Sequence, residues 1–204
     1  MFTLQPFSLR GYPTTVGQSD TEHRFGEDDE VVLEAEPRGD IFLEPGTTNS
    51  VCKLTGLGSW TLDRSFRFSA RITVDFRTTA DSGILLAWLD QDNWFKLCAE
   101  QDAQGQRRVV SVVTRGRSDD SNGTLLTGES VHLRISRLGD LIALHSSSEG
   151  TEWDLVRLFE FSPVADRPIL LGLAAQSPTG EGTTATFDRI HFTNQGLTDP
   201  RGTD

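Results

Sequence analysis

Two cysteines, Cys52 and Cys98, are all that 204 residues supply. Two thiols make no disulfide framework and no Cys-x-x-Cys motif, so neither a stapled scaffold nor a cysteine-rich metal site is encoded. Basic residues are also scarce. Nineteen Lys and Arg face thirty Asp and Glu, for a formal net charge of −11. Phosphate backbones need a basic face, so nucleic acid is not an expected partner. No apolar run approaches the roughly 18 residues that a membrane span needs. The opening "MFTLQPFSLRGYPTT" has no basic stretch followed by an apolar block, so it does not read as a signal peptide. These absences predict a reduced, cytoplasmic protein with no membrane partner. Asn122 begins an Asn-Gly-Thr sequon, which in that setting reads as a turn. His23, His132, His145 and His191 are scattered without ligand spacing, and no metal or other cofactor is expected.

Amphipathic helices are missing as well. Alternating strands fill the chain instead. In "RFSARITVDF" (67–76), Phe68, Ala70, Ile72, Val74 and Phe76 fall on one face, with polar residues on the other. "GILLAWL" (83–89) is apolar on both faces and reads as a covered central strand. "RVVSVVT" (108–114) is β-branched. "SVHLRISRL" and "LIALHSS" flank Gly139-Asp140, which predicts a hairpin with a tight primed turn. "EVVLEAEP", "DIFLEP", "EWDLVRLFEF", "PILLGLAAQS" and "TATFDRIHF" add further strands. Many short strands punctuated by Gly, Pro, Asp and Ser predict an all-β sandwich or jelly roll. Residues 1–26 read as a turn-rich extension that could pack on the sandwich, 27–194 as the sandwich, and 195–204 as a frayed tail.

"DNWFKLCAE" (92–100) raises the question of function. With period two, Asn93, Phe95, Leu97 and Ala99 share one face. Trp94, Lys96, Cys98 and Glu100 share the other, placing a ring, a cation, a thiol and a carboxylate in one row. "SDDSNGTLLTGE" (118–129) nearly spells a calcium loop, but position one is Ser118 and no helices flank it.

The order of motifs carries a resemblance. "SGILLAWLD" is followed by "DNWFKLCAE", "SVVTRGRSDD", "VHLRISRLGD", "SSSEGTEWDLVRLFEF" and "ILLGLAAQSPTGEGTTATFDRIHF". Over roughly residues 28–193 the chain resembles the domain of unknown function 1349 family, regulation-of-enolase-1-like. That family lies in the concanavalin A-like lectin/glucanase superfamily. The resemblance implies a two-sheet jelly roll with one concave sheet, and no established reaction. It departs from the family at Glu149-Gly150, where Asp-Gly is usual, and at Asp120, where Trp is usual.

On that frame, Trp94, Lys96 and Glu100 are expected to floor a ligand cleft, Trp stacking on a sugar ring while Lys and Glu bond hydroxyls. The bland alternative is an ion pair on a solvated sheet. Arg134 and Arg157 match basic positions of the family and are expected to flank the cleft, with Glu100 as a partner for Arg157. Trp88 is a candidate aromatic wall, or a plain core residue. The first expectation is a carbohydrate-associated binding protein, with a carbohydrate or small polar ligand as partner. The second is an enzyme acting on a sugar, with Glu100 as general acid/base and Lys96 stabilising charge. A glycosidase needs two carboxylates about 5–9.5 Å apart. Asp75, Asp81 and Asp119 are the acids that would have to approach Glu100. The third is a regulatory interaction module without a small ligand.

Overall fold

The computed structural model describes residues 2–10, 15–17, 23–25, 30–48, 50–162 and 166–201. Its strands are β1 (Gln5–Arg10), β2 (Thr15–Gly17), β3 (His23–Phe25), β4 (Val31–Glu34), β5 (Asp40–Leu43), β6 (Ser50–Thr61), β7 (Ser65–Val74) and β8 (Ser82–Asp90). They continue with β9 (Asn93–Gln101), β10 (Arg107–Arg115), β11 (Ser118–Leu125), β12 (Ser130–Leu138), β13 (Leu141–Ser147), β14 (Asp154–Glu160), β15 (Ile169–Gln176) and β16 (Thr184–Thr193). Every pairing is antiparallel. One sheet runs β11-β10-β9-β8-β15-β6-β1-β2 with β5 added to β6; the other runs β14-β13-β12-β7-β16-β4-β3. The result is a two-sheet jelly-roll sandwich. No helix among the described residues is long and apolar enough to cross a membrane.

The alternation in the sequence explains the core. Phe68, Ala70 and Ile72 of β7 meet Leu85, Ala87, Phe95 and Leu97 of the opposite sheet. Gly139 has φ +64, and β12 and β13 pair directly across Leu138 and Leu141, so the hairpin predicted at Gly139-Asp140 is present.

Three elements differ from what the pattern suggests. The first is β6, the longest strand, which the sequence hides because Gly56 and Gly58 interrupt its alternation. The second is β11: the near-calcium loop and the turn read at Asn122 are an edge strand, with Asn122 opposite Val110. The third is the chain ends. Residues Gln5–Arg10 are a strand hydrogen-bonded to β6, within the stretch read as turn-rich. At the other end Leu197 is buried, and the Pro200 carbonyl lies 3.1 Å from His145 Nε2.

The outer face of the nine-stranded sheet carries a second apolar cluster. Phe7, Leu9, Ile41 and Leu43 cover Leu86, Trp88, Trp94 and Cys98. The glycines that hide β6 make room for this cover. Phe7 lies over Gly58 and Gly172, where an added Cβ would stand 3.2 and 2.7 Å from its ring. Strand β5 crosses the same face: the Ile41 carbonyl accepts from Lys96 Nζ at 2.9 Å, and the Leu43 amide donates to Ser118 Oγ at 2.9 Å.

Candidate functional site

Period two places Trp94, Lys96, Cys98 and Glu100 on one face of β9, and the register agrees. Trp94 lies opposite Trp88, Lys96 opposite Leu86 and Glu100 opposite Ser82. Their surroundings are not an open cleft. Trp94 is 0% exposed and Lys96 2%. Trp94 stacks on Trp88 with ring centroids 6.5 Å apart. Trp94 belongs to the apolar cluster that Phe7, Leu9, Ile41 and Leu43 complete, and Lys96 lies beneath the Ile41 carbonyl of β5.

A buried ammonium needs partners, since taking it out of water is costly. Lys96 Nζ donates to the Ile41 carbonyl and, at 2.8 Å, to Gln176 Oε1; Asp40 Oδ1 stands 3.6 Å away. Lys96 therefore pins β5 to the sheet.

Glu100 sits at the margin of this cover, partly exposed, and accepts from Ser82 Oγ at 2.9 Å. Burial raises its pKa above the ordinary carboxylate value; Lys96 and the Ser82 bond pull it back, while Asp40 and Asp120 push it further up. The acids expected to approach Glu100 are engaged elsewhere. Asp81 accepts from the Thr78 amide at 2.8 Å and from Ser177 Oγ at 2.7 Å, and Asp75 accepts from Arg77 Nε at 2.9 Å. Asp119 pairs with Arg157 at 2.9 Å. Asp40 and Asp120 are the carboxylates whose charge Glu100 feels, a neighbourhood set by β5 and β11.

The raised pKa has a stability consequence. The folded state holds the Glu100 proton more tightly than the unfolded chain does. That stabilisation is fully present below the unfolded pKa and is lost as pH rises through the folded one. Ionised Glu100 therefore weighs against the fold near neutral pH. Glu100→Gln keeps an acceptor for Ser82. Its stability relative to wild type is expected to increase as pH rises from about 4 to about 8. Denaturant midpoints across that range check this; a variant that loses ground toward high pH contradicts it.

Cys98 has no exposure, and burial pushes its thiol far above the usual range, so it stays protonated and is not a nucleophile.

The two arginines do not join this row. Arg157 bridges the sandwich edges, from β14 to Asp119 on β11, and is not a partner of Glu100. Arg134 lies on the outer face of the other sheet, its guanidinium 4.3 Å from the centroid of the Trp153 ring. The pattern of outward residues on β12 is legible locally, but which sheet faces which way is not.

The open part of the nine-stranded sheet is at one end. Thr114, Trp94, Trp88, Leu170 and Trp60 form a row across β10, β9, β8, β15 and β6. Trp60 ends that row and is 48% exposed. A pocket of about 380 Å³ lies beside it, lined by Trp60, Trp88, Asp90, Gln91, Asp92 and Asn93. Asp90 is held by Asn93 Nδ2 at 2.9 Å and Arg167 Nη2 at 2.8 Å. Burial raises its pKa and those bonds more than offset it, so it stays ionised. On the other side of Trp60 a second pocket, of about 480 Å³, is lined by Phe2, Leu62, Asp63 and Phe192. Trp60 escapes a sequence reading because the hidden strand β6 carries it; its one signal is the Gly-x-Gly-x-Trp alternation of Gly56, Gly58 and Trp60.

A family model described as "Protein of unknown function (DUF1349)" matches residues 18–195. Among solved structures, a functionally unknown protein from Saccharomyces cerevisiae superposes with a TM-score of 0.76 at 26% identity, covering 87% of this chain and 93% of that one. A xylan beta-1,4-xylosidase from Bacillus halodurans gives 0.67 at 14% identity, over 81% of this chain and 33% of the xylosidase. An alginate lyase from Klebsiella pneumoniae gives 0.58 at 15% identity, over 95% and 96% of the two chains. The latter two likenesses establish the fold, and the chain spans about a third of the xylosidase. No curated protein matches the chain.

Proposed function

The chain belongs to the DUF1349 family of proteins of unknown function, and from that premise we propose that it is a carbohydrate-binding protein whose ligand lies along the open rim at Trp60. One observation carries this reading: a half-exposed tryptophan beside a pocket edged by Asp90, Gln91, Asp92 and Asn93. An exposed indole offers a flat apolar platform to the C–H face of a sugar ring. Carboxylate and amide groups around it bond hydroxyls and set orientation. The resemblance in fold to a xylosidase chain and an alginate lyase is consistent with this, as analogy.

The test uses tryptophan emission. Trp88 and Trp94 are buried and Trp153 lies against Arg134 on the other sheet, so a ligand at the rim reports chiefly through Trp60. Xylan, cellulose and alginate oligosaccharides are titrated into wild type and Trp60→Ala. The expected result is a saturable change in wild type that the variant loses, with stability altered by less than about 0.5 kcal/mol because Trp60 is a surface residue. Silence with all three glycans rejects the proposal and favours an interaction module without a small ligand.

A second reading has its own support in Glu100. A partly exposed carboxyl with a raised pKa, close to Asp40 and Asp120, suits a general acid. In that reading Lys96 is a positioning residue, since its ammonium is buried. Hydrolysis of the same glycans that survives in Glu100→Gln would remove it.

A further inference from the structure

The opposite face of the sandwich carries a second concavity, unrelated to the rim at Trp60. It holds about 370 Å³ and is lined by residues of β7, β12, β16 and the turn after β13. Five of its lining side chains are cationic or can become so: Arg67, His132, Arg134, Arg189 and His191. Glu149 is the one acid among the lining residues, on a chain whose net charge is −11. Such a concentration of one sign in a concave site focuses potential on a ligand of the other sign.

The cations are held in place. The Arg134 guanidinium lies over the Trp153 ring, and the His132 ring meets the same indole edge-on with centroids 6.4 Å apart. Arg67 donates Nε–H to the Gln195 carbonyl at 3.1 Å. The neighbouring Arg71 is already consumed by a two-pronged pair with Asp188, so the pocket is not simply an extension of that salt bridge.

Two backbone features shape it. Strand β16 has an irregular register between Asp188 and His191, and Arg189 within it has φ +48. A long side chain rarely sits in that conformation, and such strain concentrates where a residue must be aimed. Across the pocket, Gly150 has φ +79, and a Cβ there would stand 2.7 Å from His132 Nδ1. Only glycine both takes that turn and lets the loop lie against the imidazole.

We propose that this pocket binds a compact oxyanion, the phosphate or carboxylate group of a small polar molecule, with Arg67, Arg134 and Arg189 as donors and His132 on its wall. Planar guanidinium forks suit such oxyanions. Burial lowers the pKa of His132, the charges of Arg189 and Arg71 lower it further, and Asp188 and Glu149 offset part of this. A bound anion opposes both cations, so the imidazole reports occupancy by titrating higher.

The experiment follows the ring C–H signals of the histidines by NMR while inorganic phosphate, glucose 6-phosphate or glucuronate is added. The expected result is saturable movement of the His132 signals and a rise in its titration midpoint. Saturation by the phosphates alone assigns a phosphate group; saturation by glucuronate alone assigns a sugar acid; saturation by both kinds assigns a general oxyanion site. Arg189→Gly relieves the backbone strain, so its melting temperature should hold or rise while anion affinity falls about tenfold or more, as for the loss of one charge-assisted bond. Arg67→Gln, at the pocket edge, should weaken binding in the same direction. Trp60→Ala should leave it unchanged, which separates this site from the sugar rim. The proposal is overturned if no anion moves His132 saturably, if both arginine variants bind as wild type does, or if Trp60→Ala abolishes the response.

Discussion

Lys96→Met is expected to destabilise the folded protein by about 3–5 kcal/mol, the cost of removing one member of a buried, hydrogen-bonded charge cluster. Methionine preserves most of the side chain's volume and removes the ammonium, so the loss reports on charge and hydrogen bonding rather than packing. The substitution leaves the Ile41 carbonyl and Gln176 Oε1 without the donor they share, under a cover that keeps water out. It also removes the cation 3.6 Å from Asp40 and the charge that draws the Glu100 pKa down. A second signature follows: Glu100 should titrate still higher in the variant. Urea denaturation and a carboxylate NMR titration measure the two effects. Adding Gln176→Leu removes one stranded acceptor, so the double variant should cost less than the sum of the singles. A loss below about 1 kcal/mol would mean that water reaches the ammonium and that β5 is not a true cover.

Phe7→Ala is expected to cost about 3–5 kcal/mol, as large-to-small changes of buried aromatic residues do. Phe7 is 3% exposed although it belongs to β1, which starts at Gln5. Its ring rests on Gly58 and Gly172, so its removal leaves a cavity floored by backbone. Gly172→Ala alone should also destabilise, because its Cβ would stand 2.7 Å from Phe7 Cε1. In the Phe7→Ala background that penalty should shrink or reverse, since the methyl then enters the cavity. Thermal and urea unfolding of the four proteins tests this. Strictly additive effects would show that the ring does not occupy the glycine floor.

The first prediction concerns a residue that the sequence nominates for a binding floor, the second a residue of the cover over that face, and both treat the floor as interior. The fold assigns the candidates different surroundings. Trp88, Trp94 and Lys96 are under the cover, Glu100 is at its margin, Arg157 is at the edge with Asp119, and Arg134 is on the far face. The row with an exposed end is reached through Trp60, whose strand has no clean alternation to read.

The sequence by itself determined the strands that alternate cleanly, because period-two burial is a local property. It placed Trp94, Lys96, Cys98 and Glu100 on one face of β9, marked β8 as covered on both sides, and set the hairpin at Gly139-Asp140. The order of motifs also determined the family. Only the tertiary structure decided what lies above each face. Lys96 meets partners 55 and 80 residues away in the chain, and Phe7 lies on Gly58 and Gly172. Alternation says which side chains stand together; it carries no information about which distant segment comes to cover them. That choice follows from packing complementarity between segments, here a phenyl ring over glycines and a carbonyl over an ammonium. It moves the open surface of the sheet from Lys96 to Trp60.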